Sequence, residues 1–121
     1  MQFSVKSSKA VLSKIAFFLA FTLLSACTEK QVPYAYITNQ LSDDLSVINT
    51  ETQQVILTIK TGHRPVGIAL SKTGNKAFIS NSEGQEIAVL DTLSMKVIAH
   101  IPLDGGPVGI ATNNDGSTVY V

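Results

Sequence analysis

From residue 34 onward the chain alternates short apolar runs with clusters of Ser, Thr, Asn, Asp and Gly. Tyr34 to Thr38 is aromatic and β-branched, while Leu45 to Asn49 and Val55 to Ile59 are apolar stretches of strand length bounded by turn-forming residues. Val66 to Leu70, Ala77 to Ser80, Ile87 to Leu90 and Val97 to Ile101 continue the series, and Val119-Tyr120-Val121 opens another run. No helical period of comparable length follows Cys27, so the pattern predicts an all-β fold. The pattern also repeats. Pro65-Val66-Gly67-Ile68-Ala69 returns unchanged as Pro107-Val108-Gly109-Ile110-Ala111, 42 positions later (107 − 65). Ala35, Ile37, Asn39, Val47, Thr50, Val55, Ile56, Ile59 and Gly74 recur at the same offset, so 14 of the 45 pairs from Ala35 to Ile79 are identical without a gap.

Four short antiparallel strands in one period of 42 residues match the arithmetic of a β-propeller blade. The first strand of a blade lines a crowded central channel, which suits Gly67, Ala69, Gly109 and Ala111 as close-packing positions; their spacing is not that of a phosphate-binding loop. Ser71-Lys72-Thr73-Gly74 and Asn113-Asn114-Asp115-Gly116 predict tight hairpins, with a capping side chain first and Gly last. Asn49-Thr50-Glu51-Thr52 and Asp91-Thr92-Leu93-Ser94 predict turns bonded by their leading side chain.

The N-terminal segment follows different rules. Lys6, Lys9 and Lys14 precede or flank the apolar run Ile15 to Leu24, which is ten residues long, and a membrane-spanning helix needs roughly 20. The segment therefore predicts an export signal. Leu24-Ser25-Ala26-Cys27 resembles the bacterial lipobox, in which the Cys becomes the lipid-modified first residue after cleavage. The alternative is an ordinary secretory signal with an incidental Cys. Cys27 is the only cysteine, so it has no disulfide partner in an oxidising compartment, and it directly follows the small residues. The expected organisation is a signal peptide over 1–26, a lipid-anchored tether over 27–33 and repeats over 34–121. The resemblance implies envelope localisation, with Thr28 rather than Asp behind the Cys pointing to the periplasmic face of the outer membrane in a Gram-negative cell. More than one acyl chain gives stable anchoring. After Cys27 the chain carries six basic and nine acidic side chains, a balance near −3 (6 − 9), with no basic run to neutralise phosphates. Nucleic acid is not an expected partner.

Tyr36-Ile37-Thr38-Asn39, then Leu45-Ser46-Val47-Ile48-Asn49-Thr50, then Gly62, Pro65, Gly67, Ile68, Ala69 and Gly74 resemble the YVTN family of β-propeller repeats. Phe78-Ile79-Ser80-Asn81 is a degenerate second copy. The resemblance implies a ring of usually seven blades in an exported or surface protein, with relatives among haem-binding and quinone-dependent periplasmic enzymes. Seven blades at this period need roughly 290 residues, whereas 28–121 supplies 94 (121 − 27). The expectation is a partial propeller of about two blades, an N-terminal fragment or a truncated product. Its unclosed faces would be covered by the remaining blades or by self-association.

Loops on one rim usually carry a propeller's function. That rim is expected to hold Asp43, Asp44, Gly62, His63, Arg64, Asn81, Ser82, Glu83, Gly84, Asp104, Gly105 and Gly106. His63 and Arg64 align with Gly105 and Gly106 in the next repeat, so the scaffold itself does not demand them. His63, Arg64, Glu83 and Asp104 are the ligand-binding candidates; His63 could ligate a metal or haem iron and Arg64 could hold a carboxylate or phosphate. The adjacent Asp43 and Asp44 are expected to point in different directions, and His100 is expected on the surface of an outermost strand. No nucleophile elbow, paired-cysteine or paired-histidine spacing, or triad is present. The leading expectation is a non-catalytic, lipid-anchored scaffold that binds an envelope protein, a polymer or a small ligand, with no metal and no cofactor. Two alternatives remain open: part of a redox propeller holding haem or a quinone cofactor, and a structural surface-layer component.

Overall fold

The structure, a computed structural model, describes residues 32–121. The signal peptide, Cys27 and most of the tether lie outside the described residues.

The predicted apolar runs form strands. These are β1 (Tyr34–Asn39), β2 (Asp44–Asn49), β3 (Gln54–Lys60), β4 (Pro65–Leu70), β5 (Lys76–Asn81), β6 (Glu86–Asp91), β7 (Lys96–Pro102), β8 (Ala111–Thr112) and β9 (Val119–Tyr120). They build three antiparallel sheets in the orders β1-β2-β3, β4-β5-β6-β7 and β8-β9. The four-stranded sheet is one complete blade; the first sheet corresponds to its last three strands and the third to its first two. Even the irregularities repeat at the 42-residue offset, with register shifts at Val47/Ile48 in β2 and Val89/Leu90 in β6.

Local chemistry sets the turns. Asn49 Oδ1 accepts the N–H groups of Glu51 and Thr52 at 2.9 and 3.0 Å, and Asp91 Oδ1 accepts those of Leu93 and Ser94 at 2.9 and 2.8 Å. These bonds hold the Asp91 carboxyl below its ordinary range, the Ser94 backbone N–H contributing most. In the hairpins, Gly74 N–H donates to Ser71 O at 2.8 Å and Gly116 N–H to Asn113 O at 3.2 Å, each glycine having φ near +70° (72° and 71°).

Packing between blades makes the core, and it too is periodic. Tyr36, Leu45, Val47 and Ile59 of the first sheet meet Ile68, Ala77, Ile79, Ala88, Leu90 and Val97 of the second. Phe78, Ile87 and Val89 then meet Ile110, just before β8, and Val119 of the third. Each fully buried aliphatic contributes about 1.5–3 kcal/mol. A hydrogen bond crosses each seam at equivalent positions: Thr38 Oγ1 donates to Val66 O at 3.0 Å, and Ser80 Oγ donates to Val108 O at 2.9 Å.

The expectation of crowding along the first strand holds for Gly67, where a Cβ would lie 2.5 Å from Val108 O and 2.9 Å from Ser80 Oγ. It fails for Gly109, whose Cβ would meet nothing within 4 Å. Crowding comes from the inner strand of the following unit, and the described residues place no such strand against Gly109.

Candidate functional site

The β1–β2, β3–β4 and β5–β6 connections emerge on one rim, because each strand reverses the chain. Their side chains meet where the first blade adjoins the second. Asp43, in the left-handed region at φ 59°, directs Oδ2 to His63 Nδ1 at 3.2 Å and accepts the Arg64 backbone N–H on Oδ1 at 2.9 Å. The Arg64 N–H, with a smaller contribution from His63, holds the Asp43 carboxyl below the ordinary carboxylate range. Arg64, itself at φ 55°, extends Nη1 to Glu83 Oε1. The Arg64 carbonyl accepts from Ser82 N and Oγ at 3.0 and 3.2 Å, and the His63 carbonyl accepts from Gly84 N at 3.2 Å.

Three of the four candidates are thus brought together. The His63, Arg64 and Glu83 side chains are 79%, 50% and 63% exposed, which leaves them open to a ligand. Asp104 is not joined to them. It is exposed on the β7–β8 connection, and among the described residues it shares no hydrogen bond or ion pair with His63, Arg64 or Glu83. The two connections also differ in shape, with positive φ at Gly62 and Arg64 in one and at Gly105 in the other.

Asp43 and Asp44 diverge as expected. Asp44 turns inward to Asn39 Nδ2 and Ser42 Oγ, both 2.9 Å away, and to Lys60 Nζ at 3.4 Å; the Asn39 and Ser42 bonds lower its pKa. His100 is half exposed on β7 and pairs with Glu86 Oε1 at 2.9 Å. The organising role of Asp43 was not legible as a motif, since it stands 21 residues before Arg64. Among the described residues no group of three or more His, Cys, Asp or Glu side chains is arranged to hold a metal ion.

No protein-family model and no curated protein matches the chain. Solved structures do match. Hydrazine synthase of Kuenenia stuttgartiensis aligns at 26% identity and a TM-score of 0.70, over 73% of this chain and 25% of that one. The dihydro-heme d1 dehydrogenase NirN in complex with DHE aligns at 13% identity and a TM-score of 0.65, over 73% of this chain and 19% of that one. The β-propeller domain of Myceliophteria thermophila Cps50 (Swd1) aligns at 14% identity and a TM-score of 0.51, over 64% and 28%. The chain spans about a quarter or less of the first two relatives' length. The likeness shows the fold: these residues are blades of a β-propeller.

Proposed function

We propose that this chain belongs to an exported, lipid-anchored propeller of YVTN-type repeats, which acts as a non-catalytic binding scaffold through the His63–Arg64 rim. One observation carries this reading. Two exposed side chains stand where the next repeat has glycines, and Asp43 and Glu83 hold them in a set geometry. Preorganised charged groups at a loop rim lower the ordering cost of binding. The partner is an envelope protein or polymer at the membrane that Cys27 would anchor.

Photo-crosslinking in the native cell tests this. A crosslinking residue at position 63 or 64 should capture one defined partner, and one at Lys72, on the opposite rim, should not. Equal capture from both rims, or none from 63 and 64, would refute the rim assignment. Lipid labelling should be lost in Cys27→Ser, and labelling that persists there would refute the anchor.

A second reading rests on the likeness to hydrazine synthase and to the dihydro-heme d1 dehydrogenase. Asp43 takes up Nδ1 of the exposed His63 ring, which leaves Nε2 as the nitrogen for a ligand, the arrangement in which a carboxylate orients a ligating imidazole. Titrating the full-length protein with haem separates the two readings. A Soret shift that disappears in His63→Ala favours the redox reading, and an unchanged spectrum favours the scaffold.

A further inference from the structure

Next to the His63–Arg64 rim a buried polar pair, Thr61 and Asn81, interrupts the apolar seam between the first two blades. Asn81 is 0% exposed and Thr61 1% exposed. Asn81 Nδ2 donates to the Thr61 carbonyl at 2.8 Å and to Glu86 Oε1 at 3.1 Å. Both partners are acceptors, so the amide cannot be reversed, and its oxygen must point away from them. That oxygen, Asn81 Oδ1, has no hydrogen-bond partner among the described residues, and neither does Thr61 Oγ1. Two buried oxygens in one bonded residue pair, if left without partners, would oppose folding through uncompensated desolvation.

The surroundings are built for this arrangement. Gly62 at φ 136° follows Thr61, and a Cβ there would collide with Asn81 Nδ2 and Glu86 Oε1. Glu86 Oε1 also faces His100 Nδ1, so the polar chain runs from the surface to the seam. The other repeats differ at these positions. At the next seam the position equivalent to Thr61 is Leu103, which packs among Phe78, Ile87 and Val89. In the first blade Asn39, equivalent to Asn81, is only partly buried and bonds Asp44 and Ser46.

We infer that Thr61 Oγ1 and Asn81 Oδ1 bind one internal water, which ties the first blade to the second and fixes the base of the rim loop carrying His63 and Arg64. Water fits the donor set: it donates to the amide oxygen and exchanges a hydrogen bond with the hydroxyl. Buried waters of this kind satisfy otherwise unpaired polar groups.

The test combines a crystal structure of the full chain with equilibrium unfolding of Thr61→Val and Thr61→Ser. The wild type and Thr61→Ser should show a density peak within hydrogen-bond reach of residues 61 and 81, and Thr61→Val should lack it. Thr61→Val should also lower the folding equilibrium constant roughly tenfold. Absence of the peak in the wild type would overturn the inference. So would a Thr61→Val variant as stable as the wild type or more stable, the behaviour of a hydroxyl with nothing to bind.

Discussion

Asp43 grips the backbone of Arg64 rather than its guanidinium: Oδ1 accepts the Arg64 N–H at 2.9 Å, while the Arg64 side chain reaches Glu83. One carboxylate on the β1–β2 connection thereby sets where the rim arginine begins, and another on the β5–β6 connection sets where it ends.

Acid should loosen this grip in a defined direction. The folded pKa of Asp43 lies below its ordinary value of 3.8. Its contribution is therefore complete above that value and is lost as pH falls through the lower folded value. Carboxyl NMR should place the Asp43 midpoint below 3.8, with the Arg64 amide shift following the same curve. Asp43→Asn, which keeps an acceptor, should abolish that pH dependence. A midpoint at or above the ordinary value would contradict the geometry.

Arg64 occupies a left-handed conformation that costs a non-glycine residue about 1–2 kcal/mol. Its exposed pair with Glu83 returns only about 0.2–1 kcal/mol. Arg64→Gly should therefore leave stability unchanged or raise it by up to about 1 kcal/mol in urea unfolding, while partner capture at the rim is lost. A marked loss of stability would assign Arg64 to the scaffold instead.

The duplicated pentapeptide offers an internal control. Gly67→Ala places a methyl 2.5 Å from Val108 O and should cost about 1–3 kcal/mol, whereas Gly109→Ala meets nothing and should be nearly neutral. Comparable denaturation midpoints for the two variants would disprove the close approach at Gly67.

Ile37 and Ile79 hold the same place in successive repeats, yet Ile37 is 49% exposed and Ile79 is 0% exposed. Ile79→Ala should cost about 2–5 kcal/mol, and Ile37→Ala less than about 1 kcal/mol. Thermal or urea unfolding of the pair compares identical chemistry with and without a blade packed over it among the described residues. Equal costs would mean that something covers Ile37 in solution.

The strands, the turns and the blade period could be read from the amino-acid order, because each depends on residues close in sequence. Asn49 and Asp91 bond backbone groups two and three residues away, and the apolar runs are local by definition. The rim could be assigned for the same reason, since alternating strand directions follow from the strand count alone. What each rim residue touches could not. The His63 and Arg64 contacts with Asp43 and Glu83 span 19 to 21 residues, and the Ser80 bond to Val108 spans 28. Such partners are chosen by how one blade seats against the next. That seating placed Asp43 under Arg64, left Asp104 apart, crowded Gly67 but not its twin Gly109, and enclosed the oxygens of Thr61 and Asn81. Sequence periodicity makes repeats alike; only their neighbours in three dimensions make equivalent residues different.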